Sequence, residues 1–145
     1  MRAPLIFAGV LAVLTAGCET FQPRICDRTE EGNPPVRYTG GTTTDGVYLS
    51  SPWNGELLSF PKGMHYDLVH GLGAEPRWID SYLSFDRYGT AGGGGNDGGT
   101  LAQASGNQVV IKQVDDTIIR IANDSCADYW LLVAAGSGGT PVTPP

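Results

Sequence analysis

The segment His65–Phe85, HYDLVHGLGAEPRWIDSYLSF, decides how this chain folds. Two arms rich in aromatic and apolar residues flank His70-Gly71-Leu72-Gly73. Glycine there supplies the positive φ that a tight turn demands, so the segment reads as strand, turn, strand. The second arm, Arg77 to Asp86, alternates with period two. Ile79, Ser81, Leu83 and Phe85 share one face, and Trp78, Asp80, Tyr82 and Ser84 the other, because successive strand side chains point to opposite sides. The first set is expected in the core and the second on a half-exposed, aromatic and polar face. The rest of the domain is expected to add strands to this pair.

Upstream, Val36 to Tyr38 reads as a short edge strand and Gly40 to Asp45 as a loop. Gly46 to Ser50 and Glu56 to Phe60 read as strands separated by the turn Ser51-Pro52-Trp53-Asn54-Gly55, with Pro61-Lys62-Gly63 turning into a strand at Met64–Val69. Downstream, Gly92 to Gly99 is GGGGNDGG, too glycine-rich for ordering to be repaid, and is expected to be a mobile surface loop. It lacks the following helix and the Lys-Ser/Thr pair of a phosphate cradle, and the carboxylates of a calcium loop. Gln108–Val114 and Thr117–Asn123 form a second strand pair, with Asp115-Asp116 as the turn. Tyr129–Ala135, YWLLVAA, is a continuous apolar run of strand length and is expected to be a central strand covered on both faces. No helix and no repeat is evident. The fold class is therefore all-β: one small antiparallel β-sandwich of about seven or eight strands over residues 36–135. A tether precedes it at 18–35 and a disordered tail follows at 136–145.

The chain begins with Arg2 and the apolar run Leu5–Leu14, too short for a membrane span of about 20 residues and suited to a signal peptide. The run ends in Leu14-Thr15-Ala16-Gly17-Cys18, which resembles the lipobox of bacterial lipoprotein precursors. Thr15 departs from the aliphatic residue common at that place. The resemblance implies that residues 1–17 are removed, that Cys18 carries diacylglycerol and a further acyl chain such as palmitate, and that the protein is lipid-anchored in the cell envelope. Glu19 after Cys18 resembles the pattern sorted to the outer membrane. Two or more acyl chains anchor stably where one does not. Ordinary secretion with a free Cys18 is the alternative. With Cys18 lipidated, Cys26 and Cys126 remain of the three cysteines, and an oxidising compartment permits a disulfide between them. The other reading of that pair is a two-cysteine metal site.

Cleavage removes one of nine basic residues and none of the fifteen acidic ones. The remaining surface is mildly acidic and has no basic run, so no nucleic-acid partner is expected, and the domain is not expected to lie flat on an anionic bilayer. A second resemblance covers about 60 residues. His70-Gly71-Leu72-Gly73 followed by Pro76, with the later Asp116–Ile121, resembles the His-x-Leu-Gly turn of β-sandwich modules in phage tail fibres and H-type lectin-like domains. It implies a sandwich and points to adhesion or glycan binding, but none of those lectins' ligand residues can be placed here.

His65, Asp67 and His70 are the clustered ionisable residues. A metal site wants three converging ligands, and acid/base chemistry wants a histidine and a carboxylate within hydrogen-bond reach. His65 and Asp67 share a strand face while His70 falls on the other. The bland expectation is a solvated His65, with His70 bonded to turn backbone. Asp80 and Asp86 lie roughly 20 Å apart along a strand, too far for paired glycosidase carboxylates. Trp53, Trp78, Tyr82 and Tyr88 form a candidate aromatic platform for sugar or peptide, weighed against ordinary packing. No cofactor and no catalytic residue is assigned. The expected role is a non-catalytic binding or structural module, with a glycan or an envelope protein as partner. The alternatives are a subunit of a larger envelope assembly, docked through a strand edge, or a hydrolase or metal-dependent enzyme using His65, Asp67 and His70.

Overall fold

The computed structural model describes residues 32–89, 101–139 and 141. The expected signal peptide, Cys18, Cys26, the glycine run and half of the tail lie outside the described residues. Within them the chain is all-β, with ten strands and no α-helix. The strands are β1 (Val36–Tyr38), β2 (Thr42–Thr44), β3 (Val47–Leu49), β4 (Leu58–Phe60), β5 (His65–Val69), β6 (Trp78–Ser84), β7 (Ala102–Gln103), β8 (Val110–Val114), β9 (Ile118–Ala122) and β10 (Tyr129–Gly136). They form a four-stranded sheet, β1-β5-β9-β8, and a six-stranded sheet, β2-β3-β10-β6-β7, with β4 also on β10. The β1–β5 pair is parallel, so the sandwich is not purely antiparallel.

The two sheets close on one core. The four-stranded sheet contributes Tyr66, Leu68, Ile119 and Ile121; the six-stranded sheet contributes Tyr48, Phe60, Leu83, Tyr129, Leu131, Val133 and Ala135. Phe60 and Tyr66 stack across the gap at 6.1 Å between ring centroids. The alternation expected in β6 holds for Ile79 and Leu83, which face this core. It fails at Phe85, which lies beyond the strand end and is 82% exposed. On the opposite face Tyr82 and Ser84 are buried rather than half-exposed, because a second apolar layer covers them.

β5 and β6 are not a hairpin. They belong to different sheets, and His70–Arg77 is a crossover between them. Gly71 (φ +60) and Gly73 (φ +73) turn the chain as expected, but toward the other layer. The organising strand is β10. It pairs over seven residues with β6 on one side, and with β4 and then β3 on the other. Thus β3 and β4 do not pair with each other; they lie end to end along one edge of β10. Ser50 and Ser51 bridge the gap between them. The Val133 amide donates to Ser50 Oγ at 2.8 Å, and Ser51 Oγ donates to the Leu131 carbonyl at 2.8 Å.

Two strands escape the sequence reading. Thr42–Thr44, expected as loop, is β2, joined to β3 by a two-residue turn in which Asp45 (φ +52) and Gly46 (φ +75) are both left-handed. That is a type I′ hairpin, whose Asp-Gly signature and β-branched flank were present in the chain. β7 is two residues long, too short to carry a period. Gly136 closes β10 rather than opening the tail. In the β8–β9 hairpin the central turn residues are Asp116-Thr117, one place later than expected, since Asp115 N–H donates to the Ile118 carbonyl at 3.1 Å.

Candidate ligand-binding face

The outer face of the six-stranded sheet carries all three tryptophans of the chain. Alternation along β10 sends Trp130, Leu132 and Ala134 outward, and register with β6 sets Leu132 beside Tyr82 and Gly136 beside Trp78. Gly136 is required there. A Cβ at that position would lie 2.5 Å from the Trp78 indole, so only glycine lets the ring lie flat on the strand. Trp53 arrives from the β3–β4 loop and meets Tyr82 edge to face, 5.4 Å between centroids at 67°. Leu57, Tyr82, Leu132 and Ala134 are the buried floor, and Leu49, Trp53, Trp78, Leu101 and Trp130 pack around them half-buried.

Arg87 extends the patch. Its guanidinium lies 5.6 Å from the Tyr88 ring centroid and 5.7 Å from that of Trp130. Glu56 pairs with it, and that hydrogen bond keeps Arg87 more firmly protonated than usual. Both partners are half exposed, so the pair contributes little stability; its effect is to hold the cation beside the rings. Burial, and behind it the charge of Asp80, raises the Tyr82 hydroxyl above its ordinary value. Of the residues expected to form a platform, Trp53, Trp78 and Tyr82 fall in one cluster, with Tyr82 as its floor, while exposed Tyr88 adjoins it through Arg87. Trp130 belongs to it as well. The sequence reading passed over Trp130 because a continuous apolar run hides which residues face which way.

His65, Asp67 and His70 do not converge. His65 is 3% exposed, not solvated, and neither ring nitrogen has a hydrogen-bond partner. Asp67 is held by Arg120 across the β5–β9 pair, at 2.7 Å to Nε and 3.0 Å to Nη2. His70 is fully buried on the other side of the sheet, edge-on to Tyr48. The Leu72 amide donates to its Nδ1 at 3.1 Å, which leaves the proton on Nε2 to donate to the Asp115 carbonyl at 3.0 Å. As expected, His70 serves turn backbone. Asp80 lies on β6, while Asp86 lies past its end and accepts from the Tyr88 amide. Among the described residues no group of three or more histidine, cysteine or acidic side chains could hold a metal ion.

Cys126 lies in the β9–β10 loop and is not a free thiol. That loop is organised by Asn123, whose Nδ2 donates to the carbonyls of Phe60 and Ala127 and whose Oδ1 accepts from both N–H and Oγ of Ser125. Among the described residues no helix is long and apolar enough to cross a membrane. No family model matches the chain, and neither a curated protein nor a solved structure matches it.

Proposed function

We propose that this chain is a bacterial envelope lipoprotein, anchored through lipid on Cys18, whose sandwich is a non-catalytic module binding glycan on the outer aromatic face. The observation that carries the binding assignment is the gathering of Trp53, Trp78 and Trp130 on one outer sheet face around the Tyr82 floor. Half-buried indoles offer broad apolar surface to the C–H face of a sugar while their edges and neighbouring polar groups meet its hydroxyls. Asp80 and the Arg87–Glu56 pair supply those polar groups at the margin. The lipid assignment rests on Leu14–Cys18 and its preceding apolar run. A Cys26–Cys126 disulfide completes the reading and is supported by the engaged state of Cys126.

The face is tested by screening the full membrane-extracted protein on a glycan array, beside a Trp53→Ala/Trp130→Ala variant with unchanged thermal midpoint. The proposal expects a glycan bound by the parent and lost by the variant. Equal binding by both proteins, or none by either, would remove the aromatic face as a binding site. Docking through a strand edge has less support. The exposed edge strand β8 carries a bulge at Lys112, whose ammonium pairs with Asp124 at 2.8 Å, and a charged bulge is a device that blunts edge pairing.

A further inference from the structure

Where β6 ends, Phe85 stands out of the sandwich as the most exposed large apolar side chain among the described residues. Its ring lies 5.4 Å from that of Tyr129, tilted by 47°. Beside them opens a cavity of about 100 Å³, lined also by Leu83, Ser84, Gln103 and Gln108. At about 30 Å³ of liquid volume per water, it has room for roughly three waters. That admits a hydroxyl or hydroxymethyl branch but not a whole ring, and is well below the size of a drug-sized pocket.

The lining is mostly apolar, from Leu83, Phe85, Ala102 and the Tyr129 ring, with polar groups from Ser84, Gln103, Gln108 and the Tyr129 hydroxyl and no charge. Gln108 is fixed, its Oε1 accepting from the Ser105 amide at 3.0 Å and its Nε2 donating to the Tyr129 hydroxyl at 3.3 Å. The Tyr129 oxygen thus accepts from Gln108 and keeps its own proton to donate. Ser84 Oγ likewise accepts from the Asp86 amide at 2.9 Å and keeps a proton. Gln103 is exposed and brings an amide with both a donor and an acceptor end. An ionic ligand would meet no counter-charge here, and a purely apolar one would strand these groups without partners. A ring with an apolar C–H face and hydroxyls around its rim satisfies both halves of the lining.

We propose that Phe85 and this notch form a saccharide subsite, in which one neutral pyranose unit stacks on the exposed Phe85 ring and sends one hydroxyl or hydroxymethyl group into the notch toward Gln103 and Tyr129. Its ligand class rests on the glycan reading above, and its location goes beyond it. Ser84 is paired with Trp130 across β6 and β10, so the notch adjoins one end of the aromatic face. A glycan lying along that face would place a terminal unit on Phe85 and one of its exocyclic groups in the notch.

The test titrates the full protein with two neutral probes, cellotetraose and tetra-N-acetylchitotetraose, following amide shifts by NMR and affinity by calorimetry. One probe is expected to shift Phe85, the Gln103 side-chain amide and Tyr129. Phe85→Ala should weaken it by about tenfold, Gln103→Ala less, and Phe85→Tyr should restore it. Because Phe85 is exposed, all three variants should keep the parent's thermal midpoint. Loss of binding in Trp130→Ala but not in Phe85→Ala would overturn the subsite and leave the face standing. Loss in Phe85→Ala but not in Trp130→Ala would support the subsite and remove the face. If neither probe binds, or if the notch responds only to a phenylalanine-containing peptide, the saccharide subsite is wrong.

Discussion

Asn123 shows how much one buried side chain can organise. Its four hydrogen bonds tie the end of β4 to the β9–β10 loop, and its backbone joins the β4–β5 turn through Gly63 and Met64. Asn123→Ala leaves the carbonyls of Phe60 and Ala127 and the Ser125 amide without these partners, which should cost about 3 kcal/mol, read as a lower urea midpoint at unchanged slope. Asp115 acts at the opposite turn. Hydrogen bonds from the amides of Ile118 and Thr117, and then from Gln113, hold its carboxyl below the ordinary value. A lowered folded pKa contributes stability above the unfolded value near 3.9 and loses it as pH falls through the folded value. Asp115→Asn should therefore flatten the loss of stability below about pH 4, measured as urea midpoint against pH. The tyrosines act at the other extreme. Burial raises Tyr38, Tyr48 and Tyr66, with Tyr38's charge adding to the latter two. A raised folded pKa gives stability that is complete below about pH 10 and lost as pH climbs through the folded values. Absorbance titration at alkaline pH should show these phenols ionising late, together with unfolding. None of these roles is visible locally in the chain: an Asn, an Asp and scattered Tyr residues acquire them only from what packs beside them.

At the scale of elements, β10 dominates. Leu131, Leu132, Val133, Ala134 and Ala135 are all fully buried because the strand is covered on both faces and paired on both edges. Leu131→Ala should cost about 2–5 kcal/mol, the range for a cavity in a packed core, whereas truncating the exposed Phe85 should cost little. Gly136→Ala drives a methyl into the Trp78 ring. It should destabilise by about 1–3 kcal/mol through overpacking and red-shift the tryptophan emission as Trp78 is displaced toward water. The seven-residue apolar run was legible as a central strand because only a doubly covered strand needs no polar face. The partners of that strand were not legible. β3 and β4 read as strands separated by the Ser51–Gly55 turn, with no partner indicated, yet Ser50 and Ser51 align both along the same edge of β10. β5 and β6 read as a hairpin, while the crossover places them in separate layers.

For the molecule as a whole, the proposal joins a lipid tether, a stapled end and two binding surfaces. Intact mass of membrane-purified protein should equal residues 18–145 plus acyl chains and rise by two hydrogens on reduction. A mass retaining residues 1–17, or lacking lipid, would refute the anchor and reopen the pairing of Cys26 with Cys126. The disulfide would close a loop of about 100 residues, for which chain entropy gives at most roughly 4–5 kcal/mol. Cys126→Ser should therefore lower the thermal midpoint and leave the aromatic face able to bind.

The sequence alone determined the class of fold and most of its strands and turns. Those features follow from period-two alternation and from Gly, Pro and Asn chemistry, which act over a few residues. Tertiary structure decided which strands share a sheet, that His65, Asp67 and His70 point apart, that Phe85 leaves the core, and that Trp130 joins Trp53 and Trp78. Pairing in a sandwich joins residues far apart in the chain, such as Ser50 and Val133, and no local pattern encodes which edge a strand will meet.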